Sequence, residues 1–183
     1  MRLDSVKEYE RRIKSIIITE DEIKDGLKRA GEYINALYDG NPILLVSVLK
    51  GAFVFMADLC REVTVPCEIG FMCVKSYFEG TSSSGEVSVV MDLDRDVKDY
   101  HLVVVEDIID TGRTLKKLLD MLGDRKPLSL NVVTLLDKPD RRLADLIAVL
   151  SIFTIPDKFV IGYGLDCAEY YRNLPYIGEY SEI

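Results

Sequence analysis

The chain has 183 residues, 48% of them hydrophobic and 30% charged, which suits one globular domain with a sizeable core. A net charge of −8 and a pI of about 4.8 give little electrostatic drive toward nucleic acid. No segment reaches the ~18 to 20 consecutive apolar residues of a membrane span, and the N-terminal MRLDSVKEYERR lacks the apolar centre of a signal peptide. A cytoplasmic location is therefore expected, with neither nucleic acid nor membrane as a partner.

In chain order, Thr19-Glu-Asp-Glu22 reads as a capping box that opens an amphipathic helix, with Ile23, Leu27, Ala30, Ile34 and Leu37 recurring at helical spacing. After Asn41-Pro42, the run Ile43 to Leu49 reads as a buried strand, ended by Lys50-Gly51 and followed by a helix from about Ala52 to Arg61. Val65 to Tyr77 is a second strand. It leads into Phe78 to Glu86, a polar loop rich in Gly and Ser that reads as a lid rather than an interdomain linker. Ser88 to Leu93, Leu102 to Glu106 and Ser129 to Leu136 continue the strands, with a helix from Thr114 to Gly123 between the last two. Strands alternating with helices imply an α/β fold, a mainly parallel sheet with helices on both faces. Ile147 to Phe153 is apolar enough for one more strand. The tail from Ile155, rich in Tyr, Pro and Gly, suggests a small irregular hood over one end of the sheet. Cys60, Cys67, Cys73 and Cys167 have neither CxxC nor Cys/His spacing and read as structural thiols.

The informative stretch is VVVEDIIDTGRTL, residues 103 to 115. An apolar strand ends in Glu106, Asp107 and Asp110, and Thr-Gly-Arg-Thr opens a helix. In open α/β sheets ligands bind beyond the carboxyl ends of the strands, where this turn lies. Asp110 to Thr114 offers backbone N–H groups at a helix N-terminus, two hydroxyls and a glycine that permits close approach, a cradle suited to phosphate. Glu106 and Asp107 would repel a bare phosphate, so the ligand must also bring hydroxyls or a divalent cation for carboxylates to hold. A sugar phosphate with magnesium meets both demands. There is no GxxxxGK[ST] and no GxGxxG after a strand, which excludes a P-loop and a dinucleotide fingerprint.

VVVEDIIDTGRTL resembles the phosphoribosyl-pyrophosphate signature of the type I phosphoribosyltransferases. VSVLKGAFVFMADL, KSYFEGTSSSG, LLDKPDRR, IPDKFVIGYGLD and EYYRNLPYIG, in that order, are similar to the 6-oxopurine branch of that family. The resemblance runs from about Leu45 to Gly178. It implies the type I phosphoribosyltransferase fold as a single domain over 1–183, its hood formed by about 155–183 plus N-terminal residues. The implied activity is purine salvage, in which a 5-phosphoribosyl group passes from 5-phosphoribosyl 1-pyrophosphate to hypoxanthine and/or guanine.

The resemblance also implies roles. Asp110, Thr111, Gly112, Arg113 and Thr114 would hold the 5′-phosphate, with Asp110 also the general base that takes the purine proton. Glu106 and Asp107 would hold the ribose hydroxyls and Mg2+, and Asp166 a second Mg2+. Lys50 and Gly51, after a non-proline cis peptide, would meet pyrophosphate together with Arg172. Lys138 would donate to the 6-oxo group, Phe159 would stack on the purine, Val160 would read its edge through the backbone, and Asp166 would accept from a guanine amino group. Ser76 and Tyr77 in the lid would close over the reacting centre and exclude water. Partners would be the two small-molecule substrates and further copies of the chain, as a homodimer or homotetramer. Cys167 stands where tyrosine is common, and Arg113 where relatives vary. Leu143 to Leu150, LADLIAVL, has a helix-like composition where the resemblance implies an extended segment. Two other classes compete: a nucleic-acid-binding regulator that keeps the pocket, opposed by the charge of −8, and a two-component receiver, opposed by the polar lid and the Asp-Thr-Gly cradle.

Overall fold

The computed structural model describes residues 6–79 and 82–181, with side chains undescribed at 6, 75–79 and 82–87. A short helix α1 (Val6–Arg11) and strand β1 (Ile13–Ile18) precede helix α2 (Glu20–Tyr38). The capping box is formed: the Glu22 N–H donates to Thr19 Oγ1 at 3.3 Å, and the Thr19 N–H donates to Glu22 Oε2 at 2.7 Å. Ile23, Leu27, Ala30 and Ile34 are buried as their spacing requires, but Leu37 is 44% exposed and Tyr38 takes the last core position. The two lie at nearly equal angles from the centre of the apolar face. Tyr38 wins because its hydroxyl accepts from Asn131 Nδ2 at 2.9 Å and its ring packs on His101.

Strand β2 (Ile43–Leu49) and helix α3 (Phe53–Glu62) follow, then β3 (Cys67–Glu79) and β4 (Ser82–Met91). Next come β5 (His101–Ile109), helix α4 (Arg113–Gly123), β6 (Ser129–Asp137) and β7 (Leu150–Thr154). Six of these described strands form one sheet in the order β4-β3-β2-β5-β6-β7, parallel throughout except for β4 against β3. Helices α2 and α3 pack on one face and α4 on the other, each over its own apolar cluster. This is the mainly parallel α/β sheet that the alternation of elements implies. The central strand β2 is buried over six of its seven residues, which is why it reads as a continuous apolar run rather than an alternating one.

One local expectation fails, and LADLIAVL follows the non-helical course that the resemblance implies against its composition. The segment read as a lid loop lies, where it is described, in the antiparallel strands β3 and β4, with Ser76 opposite Val87 and Glu79 opposite Ser82. The side chains of Ser76 and Tyr77 lie outside the described residues. LADLIAVL forms no helix. The N–H groups of Leu143 and Ala144 both donate to the Thr111 carbonyl, at 3.0 and 3.1 Å, and the Val149 N–H donates to Val132. Those tertiary bonds hold the backbone extended and override its helix propensity.

The tail is more regular than its composition suggests. Strand β8 (Val160–Ile161) pairs antiparallel with β9 (Ile177–Tyr180), and β1 adds to the other edge of β9, giving a three-stranded sheet. Tyr9 and Tyr171 stack beneath it with ring centroids 4.2 Å apart. It reaches the large sheet at the carboxyl ends of β2 and β6. Lys138, which follows β6, donates to the Lys158 carbonyl at 2.6 Å, and Gly164 lies against the Gly51 carbonyl.

Candidate active site

Adjacent parallel strands end side by side, so their terminal residues converge. Ser47 of β2 faces Val105 of β5, and Ile109 of β5 faces Asp137 of β6. Lys50, the 106 to 114 turn and Lys138 therefore share one edge, although almost 90 residues separate the first from the last.

At the end of β5 the acidic pair is deeply placed. Glu106 Oε2 is buried with no hydrogen-bond partner among the described residues. Burial, and then the neighbouring Asp107 charge, hold the Glu106 carboxyl well above the ordinary carboxylate range. Burial also pushes Asp107 up to about 6, against the pull of the Ile108 N–H, which donates to Asp107 Oδ1 at 2.6 Å, and of the Arg172 guanidinium. Two half-buried neighbouring carboxylates, one with an oxygen that has no partner, form a poor isolated pair and could supply two ligands to a divalent cation. Among the described residues, no third His, Cys, Asp or Glu completes a set. Magnesium commonly takes only one or two protein carboxylates and fills its other positions with substrate oxygens and water.

The β2 turn abuts this pair. The Leu49–Lys50 peptide is cis. A Cβ built on Gly51 would stand 1.5 Å from Asp107 Oδ2, so only glycine lets the turn pass the carboxylate. On the other side, Gly112 at φ 77° turns the chain into α4, and the Thr111 hydroxyl accepts from the Arg113 N–H in a long contact of 3.5 Å. A Cβ at Gly112 would meet Leu146 Cδ2 at 2.8 Å, so the extended 143 to 146 segment forms the floor of the cradle. The N-terminal N–H groups and dipole of α4 then face the turn.

Beyond β6, Lys138 is 7% exposed. Its ammonium donates to the Lys158 carbonyl and stands 3.8 Å from Asp157. Phe159 is 56% exposed, resting edge-on against Tyr180 with centroids 5.5 Å apart, so it is an open ring and not core. Val160 is buried beside it in β8. In the tail, Arg172 Nη1 donates to the Gly164 carbonyl at 2.8 Å, while Nη2 meets Asp166 at 2.9 Å and Glu169 at 3.3 Å.

Three residues in these contacts escape sequence reasoning. Arg141 Nε donates to Asp110 Oδ1 at 2.9 Å, and its Nη1 donates to Asp157 at 3.3 Å, so it spans from the turn to the hood across the Lys138 side. Arg142 pairs with Asp137 and packs under Gly112. Glu169 links Lys50 to Arg172, with its Oε2 3.0 Å from the ammonium. In sequence, Arg141 and Arg142 look like a solvated basic pair, and only the short turn after Lys138 hinted that they stay near the strand end.

The comparisons agree with this architecture. A family model described as the phosphoribosyl transferase domain matches residues 16–168. The chain is 46% identical over 170 residues to the hypoxanthine-guanine phosphoribosyltransferase of Streptococcus pneumoniae, covering 93% of this chain and 94% of that protein. It is 48% identical over 166 residues to the hypoxanthine phosphoribosyltransferase of Salmonella typhimurium, covering 90% and 93%. The crystal structure of a hypoxanthine phosphoribosyltransferase from Staphylococcus aureus matches with a TM-score of 0.92 at 43% identity, covering 98% of this chain and 97% of that one. By sequence, fold and extent, the chain belongs to the phosphoribosyl transferase family, within its hypoxanthine-guanine branch.

Proposed function

We propose that this protein is a purine-salvage enzyme that transfers the 5-phosphoribosyl group from 5-phosphoribosyl 1-pyrophosphate to hypoxanthine or guanine. Pyrophosphate is released, and inosine or guanosine monophosphate is formed. The observation that carries the reading is the convergence, at one sheet edge, of a half-buried acidic pair, a helix N-terminus opened by a glycine and an open aromatic ring close to a buried lysine.

The 5′-phosphate takes the N–H groups and hydroxyls of Asp110 to Thr114, where the α4 dipole favours an anion. Glu106 and Asp107 accept from the ribose hydroxyls and hold Mg2+, and Asp166 serves a second Mg2+. The cation, when bound, neutralises pyrophosphate charge and so favours its departure. Lys50, Gly51 and Arg172 receive the pyrophosphate. Phe159 stacks on the purine, Lys138 donates to its 6-oxo group, and the Val160 backbone and Asp166 carbonyl read the remaining edge. As the glycosidic bond forms, Asp110 accepts the proton leaving the imidazole ring. For that the Arg141 guanidinium must release the Asp110 oxygen it now holds. Ser76 and Tyr77, in β3, cover the centre and exclude water that would hydrolyse the donor. The whole of 1–183 acts as one phosphoribosyltransferase domain, cytoplasmic and assembled as a homodimer or homotetramer. Among the described residues, no helix is long and apolar enough to cross a membrane.

The test is pyrophosphate release with magnesium, the phosphoribosyl donor and each of hypoxanthine, guanine, xanthine and adenine. Turnover with the 6-oxopurines and rejection of adenine is expected. Release that is independent of the base, or equal with adenine, refutes the reading.

A further inference from the structure

Glu169 occupies the position that the proposed function gives to pyrophosphate. Its Oε2 accepts from Lys50 Nζ at 3.0 Å and from Arg172 Nη2 at 3.3 Å. One carboxylate oxygen thus bridges two cations delivered by opposite parts of the fold, the β2 turn and the tail. Among the described residues, Glu169 is the one partner of the Lys50 ammonium.

The bridge is not needed to orient Arg172. Its guanidinium is already fixed by the Gly164 carbonyl at 2.8 Å and by Asp166 at 2.9 Å. The bridge is, however, built. The Glu169 N–H donates to Asp166 Oδ2 at 2.8 Å, Cys167 and Tyr170 pair across the turn, and Ala168, Glu169 and Tyr171 all have positive φ. Three non-glycine residues in the left-handed region cost conformational energy, and the turn they make aims Glu169 at the cations. The side chains of Glu169 and Lys50 are 65% and 64% exposed. A pair so open is weak and exchanges readily for a more highly charged anion from solvent.

We propose that Glu169 is a built-in counter-anion of the pyrophosphate subsite. It neutralises Lys50 and Arg172 while the site is empty, is displaced by the pyrophosphate group of the donor, and returns as the product pyrophosphate leaves. The inference rests on the reading of Lys50 and Arg172 as the pyrophosphate cations. Its consequence is a site tuned for release: each entering pyrophosphate group must break two ion pairs, and each departing one is replaced by a carboxylate already tethered beside it. One exposed pair and one half-exposed pair of this kind change affinity by a modest factor, about 3- to 10-fold.

The experiment uses the full chain and its Glu169→Gln variant. Calorimetry measures the dissociation constant of magnesium pyrophosphate, and steady-state kinetics measure KM for the phosphoribosyl donor and for hypoxanthine. In Glu169→Gln, pyrophosphate should bind about 3- to 10-fold more tightly and the donor KM should fall by a similar factor, while the hypoxanthine KM moves by less than about twofold. The effect should shrink at about 0.5 M salt, where exposed charges are screened. Glu169→Asp, which keeps the charge, should return most of the wild-type weakness. Pyrophosphate affinity that is unchanged or weaker in Glu169→Gln overturns the proposal, because a carboxylate that only positions its neighbours gives that result. Lys50→Ala separates the two levels of inference. If it leaves pyrophosphate binding unaltered, the assignment of Lys50 fails; if it weakens binding while Glu169→Gln does not tighten it, the assignment stands and the counter-anion fails.

Discussion

Asp107→Asn should stabilise the metal-free protein while disabling it. Burial raises the Asp107 carboxyl from 3.8 to about 6 in the fold, and each tenfold change in proton affinity is worth about 1.36 kcal/mol, so the ionised side chain costs the native state up to ~3 kcal/mol at neutral pH. Coupling to Glu106 and partial solvent access reduce this to about 1 to 3 kcal/mol. Asparagine has the same shape and keeps an acceptor for the Ile108 N–H, so the substitution removes the charge without opening a cavity. For a chain of this length, 1 kcal/mol moves Tm by ~2 to 4 °C, which predicts a gain of about 2 to 12 °C. The direction with pH follows from the raised folded-state value. Between about 4 and 6 the native state holds a proton that the unfolded chain has lost, so wild-type stability falls as pH rises through that window. Asparagine does not titrate there. The gap in Tm should therefore be widest above pH 6 and close as pH approaches 4. Differential scanning calorimetry in a chelating buffer from pH 4.5 to 8 measures it, with pyrophosphate release measured in parallel. A variant no more stable than wild type at pH 7.5, or a gap that ignores pH, refutes the argument that the acidic pair is held against a desolvation cost.

Asp110→Asn should lower kcat by ~10² to 10⁴, the range for a positioned acid or base, with far less effect on donor affinity; an unchanged kcat removes Asp110 from proton transfer. Lys138→Ala should lose activity with hypoxanthine and guanine while narrowing the gap to adenine, because a lysine has donors only and meets the adenine amino group donor to donor. Phe159→Ala should instead raise KM for all bases alike, and full discrimination surviving in Lys138→Ala would move the reading of the base edge to the backbone at Val160. Gly51→Ala should fold but cut activity about 10²-fold, since its methyl displaces the Asp107 carboxylate; wild-type turnover would mean that the contact is slack.

The elements that were legible in the sequence are those governed by local pattern. Ile43 to Leu49 reads correctly because both faces of a central strand are buried, and Thr19 with Glu22 reads correctly because a capping box closes within four residues. Local composition misleads where distant partners decide. LADLIAVL is extended because its N–H groups are claimed by Thr111 and Val132, and Tyr38 displaces Leu37 because Asn131 awaits its hydroxyl. Polar, Gly- and Ser-rich composition made residues 78 to 86 look like a loop, whereas the described residues 78–79 and 82–86 belong to β3 and β4. The site divides in the same way. The 103 to 115 turn carries its chemistry in consecutive residues, and motif resemblance supplied the distant members. Arg141 and Glu169 stand inside the quoted motifs LLDKPDRR and EYYRNLPYIG but carried no role there, because their contacts exist only once the tail folds over the strand ends.

The ion pairs explain how a chain of charge −8 can hold a ligand as anionic as a phosphoribosyl pyrophosphate. Four cations at the site have a carboxylate partner: Lys50 with Glu169, Arg172 with Asp166, Lys138 with Asp157, and Arg141 with Asp110. A cluster of bare cations would grip any polyanion and release it slowly. Paired cations bind only by exchange, so the net gain from each new contact is the difference between two ion pairs. That difference is small for an arbitrary anion. It grows when one ligand satisfies several pairs at once and brings a cation for Glu106 and Asp107. Selectivity for the complete donor with its metal then comes from the acidic partners as much as from the basic ones, and neutralising an acid at this site should loosen selectivity before it abolishes binding.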